Sequence, residues 1–219
     1  MTESPTRRPA ALREGSRRSE QDLLQAGYAL LEEGGVDALT VAAVAERAGM
    51  AVGSIYRRFG DKQGLLLAIQ HAFTENIQAE ITERLSAERL RLLRDPAVAI
   101  AEAVGALTDA FRAHEALLRV FLLLGTRHEA VRAEGSRVSV EGNRHFAEAL
   151  RHTPVAHADP EAALDFAYRL IYAAIAHRGT HRGTQGEFLE SERPLPWTEL
   201  RTHLQTAVIS YLLGTREAR

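Results

Sequence analysis

The chain has 219 residues, of which 45% are hydrophobic and 26% charged, the balance of an ordinary globular protein with one large or two small domains. Its formal net charge of −2 excludes a polycation, so nucleic-acid binding would have to rely on local basic patches. The absence of cysteine excludes disulfides and thiolate chemistry. Because the N-terminus lacks an apolar signal core and the longest apolar run, 117–124, is too short to span a bilayer, we expect a cytoplasmic protein without a membrane partner.

Residues 1–18 contain two prolines and five arginines against two glutamates, a net charge of +3. Proline disfavours helix, so this segment predicts a disordered basic arm. Arms of this kind lie along phosphates or in a minor groove, and a solvated tail without any DNA contact is the alternative.

A first helix is predicted from Ser19 to the glycine pair 34–35, which ends it. Apolar and small residues recur on one face at helical spacing. They are Leu23, Ala26, Gly27, Leu30 and Leu31. We expect this helix to cover the two helices that follow it.

The segment from Thr40 to Lys62 predicts two short helices joined by a tight turn. Thr40 can cap the first helix, and Gly49 stands where the turn requires a positive φ. The small Ala45 allows a close helix crossing, and Ile55 returns to the core. This spacing is typical of a helix-turn-helix, whose second helix enters the DNA major groove. We therefore predict a three-helix DNA-binding domain over residues 19–60. Its expected core includes Tyr28, Leu39, Val44, Ile55 and Phe59.

The same segment resembles the TetR/AcrR family of bacterial transcriptional regulators. It matches the family pattern of a threonine opening the first helix, A…AG at the turn, and then G-x-x-Y-x-x-F-x-x-K-x-x-L. The matching residues are Thr40, Ala45, Ala48, Gly49, Gly53, Tyr56, Phe59, Lys62 and Leu65. The resemblance implies an all-α homodimeric transcriptional regulator, not an enzyme and without a cofactor, that binds a double-stranded DNA operator. A two-fold dimer predicts an inverted-repeat operator.

The resemblance also implies which residues contact phosphates. Thr40 and Tyr56 are expected there through hydroxyl or backbone groups. Lys62, the single lysine among 27 basic residues, is expected there as a point charge aided by a helix N-terminus.

The front of the second helix is expected at base edges. The residues concerned are Ala51, Val52, Gly53 and Ser54. Arg57 and Arg58 are the candidates for reading guanine O6 and N7, although phosphate is the commoner partner of arginine.

The rest of the chain predicts helices almost throughout, without the alternation typical of strands. Asp61 can cap a long helix that is expected to run unbroken to about residue 88. Further helices are predicted over 96–113, 115–124, 127–151, 160–178 and 197–213, with a long mobile loop over 179–196. We predict that residues 61–219 form an effector-binding and dimerisation domain, linked mechanically to the DNA-binding domain by the long helix.

The last two predicted helices are unusually apolar, and such helices can pair with their copies in a second subunit as a four-helix bundle. The resemblance implies that dimer too. The candidate interface consists of Leu164, Ala167, Ile171, Ala174, Leu200, Leu204, Val208 and Tyr211. The alternative is that both helices are internal core of one subunit.

The resemblance further implies a small-molecule site in the C-terminal domain, and the aromatic bias there favours a hydrophobic or amphipathic effector. The candidate lining is Phe73, Phe111, Phe121, Val138, Glu141, Gly142, His145, Tyr168 and Tyr172. The prediction is thus a repressor that its ligand releases from DNA. Two alternatives stay open: a regulator without a ligand, and a helical enzyme or carrier that keeps the DNA-binding motif only as scaffold.

Metal binding and catalysis find little support in the sequence. His177 and His181 have the spacing of two ligands on one helical face, but glycines loosen the segment and no acidic partner stands at matching spacing. We therefore expect loop histidines and no metal site. The sequence also lacks a serine elbow, a phosphate-binding loop and a dinucleotide fingerprint.

Overall fold

The computed structural model describes residues 10–181 and 195–214, and among their side chains those of 18–180 and 195–214. This part of the chain is all-α, as predicted, and contains no strand. The helices are α1 (Ala10–Ala38), α2 (Val41–Arg47), α3 (Val52–Phe59), α4 (Lys62–Arg84), α5 (Ala87–Arg91), α6 (Pro96–Ala113), α7 (Glu115–Gly125), α8 (Glu129–Leu150), α9 (Pro160–His181) and α10 (Trp197–Leu213). The chain divides into two compact units, Met1–Ala72 and Phe73–Arg219.

Helix α1 begins at Ala10 and not at Ser19, so its backbone contradicts the disorder predicted for residues 10–18. The segment after the second proline is rich in alanine, leucine, arginine and glutamate, and these residues have high helix propensities. Residues 1–9 of the predicted arm lie outside the described part of the chain. At the other end, the helical geometry breaks at Gly34 and at Gly35, whose φ is +62°, as the glycine pair predicts.

The long helix α4 ends at Arg84, and the prediction of an unbroken helix to about residue 88 is wrong. Ser86 has a ψ of 117° and its carbonyl accepts the Leu90 amide, so it opens the separate short helix α5. Serine favours such boundary positions because its hydroxyl competes with the backbone for hydrogen bonds.

The five later helices occur close to where the sequence predicts them. The helices α6 and α9 begin with Pro96 and Pro160, whose missing N–H is not needed in the first turn. Asp95 caps α6, since its Oδ1 accepts the Ala97 amide at 2.8 Å. Helix α9 extends to His181, so it takes in the first residues of the predicted loop; residues 182–194 are outside the described part.

Each unit has its own core. In the N-terminal unit, the helix-turn-helix is closed by α1 and the start of α4, and the most deeply buried side chains are Leu23, Leu31, Leu39, Val44, Ile55, Leu65 and Ile69. Tyr28 and Phe59, which were expected in this core, are only half-buried. In the C-terminal unit, α6 lies against α8, α9 and α10. Its innermost side chains include Ile100, Phe146, Leu150, Ile171, Ile175 and Leu212. Burying each such side chain contributes about 1.5–3 kcal/mol. Among the described residues, no helix is long and apolar enough to cross a bilayer.

Candidate nucleic-acid interface

The turn between α2 and α3 has the geometry that its sequence predicts. Thr40 caps α2, since its Oγ1 accepts the Ala43 amide at 3.0 Å. Gly49 has a φ of +64°, a conformation that residues with a side chain rarely adopt. Next to it, the Met50 amide donates to the Ala45 carbonyl at 2.8 Å and closes the turn. These bonds hold α3 in a fixed position on α2.

Helix α3 divides into one buried position and a broad exposed face. Ile55 is its single buried residue, and it anchors the helix on the N-terminal core. The predicted base-reading residues Ala51, Val52 and Gly53 are exposed, while Ser54 is half-buried. Tyr56 is 52% exposed, unusually high for a large aromatic side chain. The helix therefore presents an apolar and hydroxyl-bearing surface to its surroundings.

The two arginines of α3 differ in their surroundings. Arg58 forms an ion pair with Glu20 of α1 at 2.6 Å, and its guanidinium lies 5.4 Å from the centre of the Phe59 ring. Arg57 is exposed and makes no ion pair or hydrogen bond with any residue in the described part of the chain. Arg57 is therefore the arginine of this pair that is available to an external acceptor.

Lys62 stands at the first position of α4, where a helix N-terminus favours anions. Its Nζ donates to the carbonyl of Val36 at 2.8 Å, which fixes the ammonium group against the segment after α1. An ammonium has three donors, so two of them remain for other acceptors. The neighbouring Asp61 caps the same helix, since its Oδ1 accepts the Gly64 amide at 2.8 Å.

Gly53 is exposed on α3, and neither its backbone conformation nor the packing around it requires a glycine there. Its φ is not positive, and no atom lies within 4 Å of the position that a Cβ would occupy. Glycine in a helix costs about 1 kcal/mol relative to alanine. Gly64 is the opposite case, because a Cβ there would lie 2.0 Å from the carbonyl oxygen of Phe59. Of these two glycines, only Gly64 is required by the packing of the protein itself.

An ion pair between α1 and α2 lies beside this surface. Both terminal nitrogens of Arg47 donate to the carboxylate of Glu33 at 2.8 Å. The hydrogen bonds from Arg47 lower the pKa of the Glu33 carboxyl, and the bonds to Glu33 raise the pKa of the guanidinium. Arg47 is thus held by its own protein. No sequence pattern indicates a role for Glu20, Glu33 or Val36, since each meets its partner only through the tertiary fold.

In the C-terminal unit, several residues of the predicted ligand lining come together. Phe73 and Phe121 have ring centres 5.4 Å apart, and those of Phe111 and Tyr172 are 5.9 Å apart. Tyr168 stacks on Tyr172 at 6.2 Å. Burial raises the pKa of Tyr168 to about 12 and also raises the pKa of Tyr172. Both phenols are therefore neutral and able to donate.

Other members of that lining lie on α8. A Cβ at Gly142 would lie 2.7 Å from the Tyr168 hydroxyl, so this glycine makes room for the phenol. His145 Nδ1 is 3.1 Å from the hydroxyl of Thr82 on α4. Glu141 pairs with Arg137, and Val138 is half-buried. Several residues of the predicted lining thus already make contacts within the C-terminal unit itself.

Gln78, a polar residue of α4, is absent from the predicted ligand lining. Thr74 and Thr82 hydrogen-bond to Glu134 and His145 of α8, and Gln78 lies between them on the same helical face. Both amide atoms of Gln78 are buried, and neither has a hydrogen-bond partner within the described part of the chain. A buried amide without partners is unfavourable by about 1–3 kcal/mol. Gln78 is the kind of group that a bound polar atom would satisfy.

The predicted dimer residues lie mainly inside the C-terminal unit. Six of the eight are buried within the single subunit. They are Leu164, Ala167, Ile171, Leu200, Leu204 and Val208. Ala174 and Tyr211 are half-buried, and Phe166, next to Tyr211 with ring centres 5.0 Å apart, is 50% exposed. The residues on the outward face of α9 and α10 therefore differ from those that apolar periodicity predicts for the interface.

Of the two histidines with metal-like spacing, His177 is exposed on α9, and the side chain of His181 lies outside the described part. The described residues contain no group of three histidine, cysteine or acidic side chains able to hold a metal ion.

Comparison with known proteins relates this geometry to a family. Residues 23–69 match the sequence profile described as "Bacterial regulatory proteins, tetR family". No curated protein matches the sequence of the chain. The fold is similar to that of a protein from Mesorhizobium loti named as a TetR-family transcriptional regulator, with a TM-score of 0.70, 16% identity, and coverage of 90% of this chain and 96% of that one.

Two further structures have the same arrangement of helices. A transcriptional regulator from Streptomyces coelicolor A3(2) has a TM-score of 0.64 and 21% identity, with coverage of 90% of this chain and 99% of that one. The transcriptional regulator FadR from Bacillus subtilis, in complex with stearoyl-CoA, has a TM-score of 0.61 and 16% identity, covering 88% and 99% of the two chains. At these identities the likeness establishes the fold.

Proposed function

We infer that this chain, a TetR-family transcriptional regulator by its N-terminal domain and its fold rather than an enzyme, binds DNA through α3, and we propose that it represses transcription from an inverted-repeat operator as a homodimer. The observation that carries the proposal is the exposed face of α3. Tyr56 and Arg57 stand there with no side-chain partner among the described residues, and Gly53 leaves open space beside them. A side-chain-free position allows the backbone of a recognition helix to approach DNA closely.

The proposed contacts fall into two groups. Tyr56, Lys62 and Thr40 offer a hydroxyl, an ammonium and a helix N-terminus to phosphates, and such contacts set the position of the protein on the duplex. Arg57 offers two parallel N–H donors to guanine, which is the commonest base-specific contact. Arg58 is less suited to base reading because Glu20 already neutralises it.

A dimer is proposed because one short recognition helix reads too few base pairs for tight and selective binding. Two-fold symmetry would place two copies of α3 in successive major grooves, about 34–36 Å apart or more. The outward side of α9 and α10 supports this assembly, since it exposes Phe166, Ala173 and Ala207 next to the half-buried Tyr211. Large aromatic and small apolar residues together are typical of a packed interface core.

We also propose that an effector binds in the C-terminal unit beside α4 and α8. The unpartnered amide of Gln78 and the neutral phenols of Tyr168 and Tyr172 supply polar groups in aromatic surroundings. This combination suits an amphipathic molecule, the class to which the stearoyl-CoA of the Bacillus FadR complex belongs. Helix α4 carries both Gln78 and Lys62, so a ligand that displaces α4 would also move Lys62, a proposed phosphate contact. A coupling of about 1–3 kcal/mol would change DNA affinity about 5- to 150-fold.

The DNA-binding proposal is tested with the purified protein and the DNA upstream of its own gene. We expect a retarded complex at low salt that survives excess random DNA and footprints two half-sites related by two-fold symmetry. Affinity no better than for random DNA would refute the operator proposal. Transcription in vitro from the same promoter should fall when the protein is added, whereas a rise would make it an activator.

The effector proposal has a separate test. Amphipathic compounds, including acyl-CoA thioesters, are screened for a rise in the unfolding temperature, and each hit is added to the protein–operator complex. A true effector raises the unfolding temperature of the protein and weakens operator binding. If the ligand forms a hydrogen bond with the Gln78 amide, Gln78→Leu should reduce the rise in unfolding temperature. If no compound that stabilises the protein alters operator affinity, the chain is a regulator without this mode of control.

A further inference from the structure

A polar pocket of about 180 Å³ lies in the C-terminal unit, and none of the aromatic residues of the predicted ligand site lines it. Three arginines from different helices converge on it: Arg84 at the end of α4, Arg89 of α5 and Arg201 of α10. Glu102 and Asp109 of α6 also line it, so the five charged groups sum to +1. Three guanidinium groups from three helices meet here only because the tertiary fold brings them together.

The negative charge of Asp109 is already balanced within the protein. Its Oδ2 accepts Arg201 Nη1 at 2.9 Å and lies 3.9 Å from Arg84 Nη1, while its Oδ1 is 3.8 Å from Arg112 Nη2. Asp109 therefore orients Arg84 and Arg201, and Arg84 also pairs with Glu80 at 3.0 Å. With Glu80 and Arg112 counted, four arginines face three carboxylates, which leaves one positive charge for the pocket. Arg201 uses a single terminal nitrogen in this bond, and its remaining N–H groups have no hydrogen-bond partner among the described residues.

Arg89 is more weakly held. The nearest carboxylate is that of Glu102, at 3.6 Å, which exceeds the length of a hydrogen bond. Both side chains are largely exposed, so the pair contributes little to stability. Arg89 thus has donors for an additional acceptor, and Glu102 is free to rotate away from it.

The floor of the pocket has a built feature, Gly105 in the middle of α6. A Cβ at this position would lie 2.6 Å from Nη2 of Arg201, and its φ is not positive. The backbone conformation therefore does not require glycine, but the missing side chain leaves room for the Arg201 guanidinium, which a Cβ would displace. A mid-helix glycine lowers helix stability, and here it lets Arg201 lie flat against α6.

We propose that this pocket binds a small dianion bearing phosphate or carboxylate oxygens, held by Arg84, Arg89 and Arg201. Guanidinium groups match such oxygens with paired N–H donors. The volume is below the roughly 300 Å³ of a site for a drug-sized ligand, which favours a small anion over the amphipathic effector proposed above. The bound anion replaces Glu102 as the partner of Arg89 and ties α5 to α6 and α10.

The proposal does not depend on DNA binding and is tested on the full chain without DNA. Inorganic phosphate and succinate are titrated at constant ionic strength against chloride, with calorimetry and the unfolding temperature as readouts. We expect saturable binding of at least one of the two anions with one site per chain. Saturation by phosphate alone identifies a phosphate site, and saturation by succinate alone identifies a dicarboxylate site.

Charge-matched variants decide whether the anion sits in this pocket. Arg89→Gln should weaken binding about tenfold or more, the usual effect of losing one charge-assisted hydrogen bond. Glu102→Gln should strengthen binding, because it removes the competing carboxylate. Arg91→Gln, an exposed arginine of the same helix outside the pocket, is the matched control and should leave binding unchanged. If the anion shifts the unfolding temperature equally in the wild type and all three variants, or if the response does not saturate, the effect is only ionic screening and the proposal is overturned.

Discussion

At the residue scale, glycines show which constraints come from inside the molecule. Gly64 is required because a Cβ would meet the backbone carbonyl oxygen of Phe59, and Gly105 leaves room for the guanidinium of Arg201. Gly49 is required by its positive φ. Gly53 satisfies neither condition, yet it lies in the exposed face of α3. An external partner that approaches the backbone closely is the physical explanation that remains.

Gly53→Ala therefore should have opposite effects on stability and on binding. The free energy of unfolding should rise by about 0.5–1 kcal/mol, because alanine is the better helix former and meets no atom. Operator affinity should fall, because the new methyl group holds the helix away from the base edges. Chemical denaturation and operator titration measure the two quantities.

The matched control is Gly135→Ala in α8, where a Cβ also meets no atom within 4 Å. It should stabilise the protein by a similar amount and leave DNA affinity unchanged. An unchanged operator affinity in Gly53→Ala would contradict close backbone approach at this position.

Arg57 and Arg58 allow a second prediction at the same scale. Arg57→Ala should weaken operator binding by about 1–3 kcal/mol and relax the preference at one base pair in each half-site. Arg58→Ala should affect sequence preference less, because Glu20 holds this side chain in the free protein. Binding to a set of single-base operator variants measures both. A relaxed preference in Arg58→Ala alone would exchange the two roles.

Lys62 gives a third prediction through the salt dependence of binding. Lys62→Met should weaken binding to all sequences alike and lower the slope of log affinity against log salt by about 0.9, the value for one phosphate. The bond to the Val36 carbonyl is lost as well, so the unfolding temperature serves as a control for folding. A change of sequence preference in this variant would contradict a pure phosphate contact.

At the element scale, the junction of α3 and α4 sets the position of α3, the proposed recognition helix. Gly60, with a φ of +81°, ends α3, and Asp61 caps α4 one residue later. At Gly64 the backbone of α4 passes directly against the Phe59 carbonyl. This close crossing holds the two helices rigidly, since backbone atoms cannot move aside as a side chain can.

Gly64→Ala tests this junction. The added methyl group would lie 2.0 Å from the Phe59 oxygen, so α3 or α4 must shift. We expect a loss of about 1–3 kcal/mol in the free energy of unfolding, the usual range for overpacking. Denaturation followed by circular dichroism measures it. Wild-type stability with wild-type operator affinity would show that the junction is softer than this geometry implies.

At the scale of the whole molecule, α9 and α10 have two different apolar sides. The inner side, with Ile171, Leu204 and Val208, is buried in the subunit. The outer side carries Phe166, which is 50% exposed. The proposed dimer must use the outer side, because the inner residues are not accessible to a partner.

Phe166→Glu is the corresponding variant. A charge at the centre of an apolar interface is expected to shift the protein from dimer to monomer, which light scattering after gel filtration measures. Operator binding should fall with it, because one half-site then binds alone. Val140→Glu on α8, at a residue that is 72% exposed, is the control and should leave the assembly unchanged. If Phe166→Glu has the molecular mass of the wild-type assembly, the dimer interface does not include Phe166.

The local parts of the molecule could be predicted from the sequence alone. The cap at Thr40, the positive φ at Gly49 and the anchor at Ile55 depend on residues only a few positions apart, so spacing is sufficient to predict them. For the same reason proline predicted the first residues of α6 and α9. The start of α1 and the break after Arg84 differ from the prediction, because weak propensities decide both.

The pairings between distant segments, and the side of a helix that faces outward, depend on the tertiary fold. Apolar periodicity cannot distinguish an internal core from a subunit interface, so it predicts Leu164 and Leu204 equally well at a dimer interface or in the core, and the structure shows that the single subunit buries both. Nor does spacing reveal that Glu20 holds Arg58 or that Arg84, Arg89 and Arg201 share a pocket. The all-α architecture and the helix-turn-helix follow from sequence patterns, because helices form from local interactions. The fold decided which charges are already paired and which remain available for a partner.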